Sequence, residues 1–265
     1  MTASISLQPD PKEAAHNQIR AGGVNLPTIL SVLASRLVLF AFFQAVVAGI
    51  YALIGQAGAW QASTAWWPVT VVLTNAVVIF SLVRLYRREG SHWLAPLHFE
   101  RATVGRDLLI LLASGVVIGP LSMLPASLVG GWLFGGVEHA YALFILPLLV
   151  WVAALSLVLF PITIALAELP LYFGYVLPRL QGRLGSRWLA WLVCSLVLAA
   201  QHITMPLVFD ARFMLFRFLM FLPFALLLGI ILSWRPRLLP YLVIFHGLMD
   251  LATVWFVFAT SLGIV

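Results

Sequence analysis

Residues 140–178 read AYALFILPLLVWVAALSLVLFPITIALAELPLYFGYVLP, an apolar run of 39 residues with a single charged side chain, Glu168. As one straight helix it would be about 58 Å long, nearly twice the ~30 Å hydrocarbon core of a bilayer. The run is therefore either two membrane spans or one long span, with Pro161 and Pro170 as candidate kinks. Outward from it, stretches long enough to cross lie at roughly 28–54, 66–84, 107–129, 188–208, 213–233 and 238–260. Each is expected to be helical, because a bilayer offers free backbone groups no partner. The distribution of Lys and Arg favours one crossing for the long run. It places the N-terminal residues, the connections at 84–106 and 179–187, and Arg235 and Arg237 on one face, leaving only Arg212 and Arg217 opposite. Two crossings would strand Arg179, Arg183 and Arg187 on the far side. The expected fold class is all-α, a polytopic helical membrane protein with seven transmembrane helices, or eight if the long run crosses twice.

Composition agrees. Of 265 residues, 63% are hydrophobic and 9% charged, against about 45–50% and about 25% in soluble domains. With a mean hydropathy of +1.05, this excludes an ordinary soluble globule and a disordered chain. The net charge of +6 comes from cations scattered between apolar runs. With no basic face to grip a phosphate backbone, no nucleic-acid partner is expected. The single cysteine, Cys194, excludes an intrachain disulfide and a CxxC metal pair. Residues 1–26 lack signal-peptide features and read as a mobile N-terminal tail on the cytoplasmic side. Residues 27–265 read as a single transmembrane helical domain, with no linker and no visible repeat. Trp93, Leu94, Leu97 and Phe99 are expected to lie in the membrane interface. Trp66, Trp67, Trp188, Trp191 and Trp234 are read as interfacial anchors near span ends.

Ionisable groups inside apolar spans are expensive and mark function by default. Arg36 lies nine residues into the first span, where its long stem is expected to carry the guanidinium to the interface. Helical rise puts Glu168 about 16 Å from Arg179, His246 about 14 Å and Asp250 about 20 Å beyond Arg237, and His202 about 22 Å beyond Arg187. All four thus fall at middle depth, counted from one face. His246 and Asp250 are four apart and share a helix side. Alone they could be a packing hydrogen bond; with Glu168 and His202 they form a set able to activate water, polarise a carbonyl or hold a metal. Gln44, Asn75, Ser35 and Thr163 are expected to make interhelical hydrogen bonds. His16, His92, His98, Glu138 and His139 are expected to be solvated.

The stretch Ala167-Glu168-Leu169-Pro170-Leu171-Tyr172-Phe173-Gly174-Tyr175-Val176-Leu177-Pro178-Arg179-Leu180 resembles the first motif of the type II CAAX prenyl endopeptidases, or CPBP family, of intramembrane proteases. That motif usually reads EExxxR, often followed by G-Y-L-L-P-R-L. The family's FxxxH resembles Leu198 to His202, without the aromatic residue, and its HxxxN or HxxxD resembles His246 to Asp250. The similarity covers a catalytic core at about 150–260. It implies an intramembrane endopeptidase in which Glu168 takes a proton from water. His202 would hold or activate that water, and His246 and Asp250 would stabilise the oxyanion. The metalloprotease label implies a metal set of Glu168, His202 and His246, with a divalent cation such as zinc as cofactor. The implied partners are a hydrophobic or lipid-modified peptide and membrane lipids, in a bacterial cytoplasmic membrane. The family's second Glu and its Arg are Leu169 and Phe173 here, four apart and apolar together, as in the replacement of an ion pair by packing. Two further readings are an inactive member that binds such a peptide and a small proton-coupled transporter using Glu168 and Asp250. No HExxH, GxGD or GxSG motif supports another protease mechanism.

Overall fold

Asn25 starts the first helix by accepting the Thr28 backbone N–H at 2.9 Å, and Pro27 follows in the first turn, where its missing N–H costs nothing. The computed structural model describes residues 24–264. It contains α1 (Leu26–Leu53), α2 (Ala59–Thr64), α3 (Trp67–Arg88), α4 (Val104–Phe134), α5 (Val137–Tyr141) and α6 (Val150–Leu169). A π-helical segment, Pro170–Val176, joins α6 to α7 (Leu177–Leu184). Then come α8 (Arg187–Ala200), α9 (Ala211–Trp234) and α10 (Leu239–Ser261). Of the expected tail 1–26, residues 1–23 and with them His16 lie outside the described residues; Val24 is buried.

Among the described residues six helical stretches are long and apolar enough to cross a membrane, and a shorter apolar helical stretch, Arg187–Ile203, lies beside them. The protein is all-α and polytopic. The long run is one continuous helical stretch, Val150–Leu184. Its N-terminal part does not join the span, because residues 142–149 leave the helix after α5. Pro170, lacking an N–H, stands where the i→i−4 ladder gives way to the wider π turns. The stretch expected at 188–208 is shorter than its apolar length suggests. Helix α8 ends at Ala200, and a 3₁₀ turn at Gln201–Ile203 leads into irregular backbone that reaches α9.

Irregular backbone at this depth must be satisfied by side chains. The amide of Gln44 reads Leu207 on both sides, donating to its carbonyl at 2.9 Å and accepting its N–H at 2.7 Å. The Trp60 indole donates to the same carbonyl at 2.9 Å. Arg217, expected as a charge on the far face, is buried instead. Its guanidinium donates to the His202 and Met205 carbonyls at 3.2 and 2.5 Å and faces the Phe144 ring. The loop supplies carbonyls that water would otherwise solvate, and this turns Arg217 inward.

Helix α6 packs between α3 and α10, and α9 between α4 and α8. Close approach depends on glycine at two places. A Cβ at Gly247 would meet Ala165 and the Pro161 carbonyl at 3.2 Å, and one at Gly229 would meet Trp191 at 2.7 Å. Arg179 forms an ion pair with Glu89, also bound by the Tyr175 hydroxyl, while Arg237 pairs with the buried Asp107 at 2.8 Å.

Asp210 caps α9 by accepting the N–H groups of Arg212 and Phe213 at 2.7 and 3.1 Å. The Phe213 backbone N–H holds its carboxyl below the usual carboxylate range, aided by Arg212. Asp210→Ala is expected to lower stability by about 1 kcal/mol at neutral pH. A depressed folded-state pKa means the contribution is full above the unfolded value of about 3.9 and fades as pH falls through the folded value. Unfolding midpoints of wild type and variant should therefore converge on acidification below about pH 4.

Candidate active site

Glu168 closes α6 at the edge of the π segment and is 1% exposed. A carboxylate so placed needs compensation from several directions, and it receives it from two helices and a turn. From α1, the Arg36 guanidinium donates to Oε2 at 2.8 Å. From the turn after α8, the Gln201 amide nitrogen donates to the same Oε2 at 2.8 Å. From α10, His246 Nε2 lies 2.9 Å from Oε1 and 3.3 Å from Asp250 Oδ2. Ionised carboxylates only accept, so Nε2 carries a proton. His246 Nδ1 has no hydrogen-bond partner among the described residues.

The expectation that Arg36 reaches the interface is wrong. Arg36 is fully buried, because the groups that satisfy it lie inside the bundle. Nε donates to Gln201 Oε1 at 2.6 Å, Nη1 to Asn75 Oδ1 and Nη2 to Glu168. The Tyr172 hydroxyl also donates to Gln201 Oε1, at 3.1 Å, which fixes the amide with its nitrogen toward Glu168. Asn75 continues to Thr163 at 3.2 Å. Asn75 and Thr163 make the interhelical hydrogen bond expected of them; Gln44 instead bonds the loop backbone at Leu207, and Ser35 bonds within α1, to the Val32 carbonyl.

His202 sits in the turn beside Gln201. Its Nδ1 lies 2.9 Å from the Leu198 carbonyl, and a carbonyl can only accept, so the proton is on Nδ1 and Nε2 carries a free lone pair. The aromatic residue missing at Leu198 has a counterpart from another helix: the Phe221 ring of α9 stacks on the imidazole at 3.6 Å. His202 joins the group through its chain neighbour Gln201, whereas Glu168, His246 and Asp250 meet directly. Leu169 and Phe173, which stand where the resembling motif has Glu and Arg, are buried in the apolar core. Cys194 is buried and unpaired. Glu138 and His139 are exposed, 3.5 Å apart.

A divalent cation shared by Glu168, His202 and His246 would need free lone pairs converging on one point. Glu168 Oε2 is taken by two donors, Oε1 faces an N–H of His246, and His202 offers one nitrogen. Among the described residues no group of three or more His, Cys, Asp or Glu side chains is placed to hold a metal ion. The donor set in this arrangement does not fit one.

Arg36, Gln201, Tyr172 and Phe221 were not singled out as site residues by sequence reasoning. Gln201 had a usable signal in its place next to His202; the contact of Arg36 spans 132 residues and had none. Residues 148–252 match the family described as Type II CAAX prenyl endopeptidase Rce1-like. The match encloses all three motifs and bears out the resemblance they suggested. No curated protein and no solved structure matches the chain.

Proposed function

From the match of residues 148–252 to the type II CAAX prenyl endopeptidase family, we propose that the chain is an intramembrane endopeptidase in which Glu168 activates water. The observation that carries the reading is the buried Glu168 carboxylate, hydrogen-bonded through Oε1 to His246 with a lone pair of that oxygen left over. Water bound there gives its proton to Oε1 while its oxygen attacks the scissile carbonyl carbon. His202 Nε2, an acceptor, takes the hydrogen bond of the second water proton and fixes the attacking lone pair. The oxyanion that forms is met by His246, which donates from Nδ1 when that nitrogen is protonated; the Asp250 carboxylate balances the imidazolium while Glu168 carries the water proton. Collapse breaks the C–N bond as Glu168 returns its proton to the leaving amine. Metal ions take no part in these steps.

The substrate of this reading is a hydrophobic or lipid-modified peptide, and the setting a bacterial cytoplasmic membrane with the N-terminus inside. Loss of the charged pair at Leu169 and Phe173 favours a second reading, an inactive member that binds such a peptide uncut. Protein in liposomes is tested with a peptide ending in a farnesylated Cys followed by three residues. Cleavage in ¹⁸O-labelled water should put one label in the new carboxylate, and chelation with EDTA and phenanthroline should leave the rate unchanged. Binding without product would support the inactive reading. Activity lost on chelation and restored by zinc would overturn the metal-free steps.

A further inference from the structure

We propose that Arg36, on the first span and outside the segment that matches the family, is the positioning residue that makes Glu168 competent as a base. The argument begins with what the motif lacks. Position 173, four residues on from Leu169, is a phenylalanine packed in the apolar core, so α6 and its π segment bring no cation of their own to Glu168. A carboxylate buried to 1% exposure without a counter-charge is strongly destabilised. The cation comes from α1 instead. Arg36 is fully buried, its three donor directions are each used by a different partner, and the Phe40 ring lies 5.0 Å from its central carbon.

The geometry assigns the two carboxylate oxygens different duties. Oε2 accepts from Arg36 and, through Gln201, from an amide that Arg36 itself orients by donating to its oxygen. Those two bonds fill the acceptor capacity of Oε2. Oε1, which among the described residues accepts from His246 alone, is left to receive the proton of water. Arg36 thus holds the carboxylate ionised and turned so that one defined oxygen faces the reaction. The same guanidinium ties the first span to the turn that carries His202, because Gln201 is bonded to Arg36 and adjacent to His202.

This inference rests on the peptidase reading for its catalytic consequence and not for the coupling between the two residues. Arg36→Met, Arg36→Lys, Glu168→Gln and the double variant are compared with the farnesylated peptide and by thermal unfolding in detergent. Arg36→Met should lower kcat about 100-fold with KM little changed, and Arg36→Lys should recover part of that loss. Arg36→Met strands a buried carboxylate, so adding Glu168→Gln should raise its unfolding midpoint. Wild-type kcat in Arg36→Met alongside a dead Glu168→Gln would overturn the proposal and leave the peptidase reading intact. A double variant no more stable than Arg36→Met would overturn the coupling. Wild-type turnover by Glu168→Gln would overturn the peptidase reading, and the unfolding midpoints would still report whether the two residues are coupled.

Discussion

Glu168→Gln is expected to lower kcat for peptide hydrolysis by at least about 10³-fold, the scale on which a positioned general base contributes. The substitution keeps size and shape and leaves an oxygen that can still accept from Arg36 or His246, so substrate binding should survive. What it removes is the capacity to take a proton. It also strands a buried guanidinium, because Arg36 is fully enclosed and Glu168 is its carboxylate partner among the described residues. Stability should fall by about 3–5 kcal/mol, the usual cost of breaking a buried pair from one side. Lost activity and lost stability are separated by the double variant Arg36→Met/Glu168→Gln. Its midpoint should exceed that of either single change, and it should remain as inactive as Glu168→Gln. Activity recovered together with stability would show that Glu168 matters only as a counter-ion. Turnover by Glu168→Gln within about tenfold of wild type would remove the carboxylate from the mechanism.

Trp67→Ala should be the most damaging of the tryptophan substitutions. Trp67 is 2% exposed, donates its indole N–H to the Phe144 carbonyl at 2.9 Å and meets the Phe160 ring edge-on at 5.3 Å. In water-soluble cores such a truncation costs about 3–5 kcal/mol. Part of that is transfer from water, which a chain already in lipid does not regain. The cavity, the lost contacts and the orphaned carbonyl remain, leaving about 2–3 kcal/mol. Trp234, 57% exposed, should change stability by less than about 0.5 kcal/mol when replaced. Unfolding titrations of both variants in mixed micelles make the comparison, and equal losses would refute the distinction drawn between a core and an interfacial indole.

That distinction shows where sequence reasoning reaches its limit. Apolar length identified the spans, and the count of cations identified the long run as one crossing, because both are properties of a segment against a bilayer. Depth along a helix put Glu168, His246 and Asp250 at one level, and the i,i+4 spacing put the last two on one side; the structure brings all three into contact. Rotation about the helix axis is another matter. Arg36, Trp67 and Arg217 sit at depths where a side chain can lie toward lipid headgroups or toward the bundle. Only the partner decides between them: Glu168 for Arg36, the Phe144 carbonyl for Trp67, the His202 and Met205 carbonyls for Arg217. Each of those partners is distant in the chain or belongs to a loop, where no periodicity announces it. The early end of α8 was hidden for the same reason, since residues 201–207 remain apolar enough to read as helix while their backbone is held by Gln44, Trp60 and Arg217.

The pairing of Arg36 with Glu168 also sets a condition on how the chain is made. The two residues are 132 positions apart, which at roughly 5–20 residues per second separates their synthesis by on the order of ten seconds. During that interval the nascent first helix must enter the membrane with an arginine whose counter-charge does not yet exist. Insertion scales set that burden at about 2.5–3.5 kcal/mol near a helix centre, and the apolar character of the helix, which has an 18-residue window of mean hydropathy 2.0, offsets it. The helix is thus apolar enough to insert alone and polar enough to wait for a partner. Docking of the first helix against the core therefore waits until Glu168 has been made.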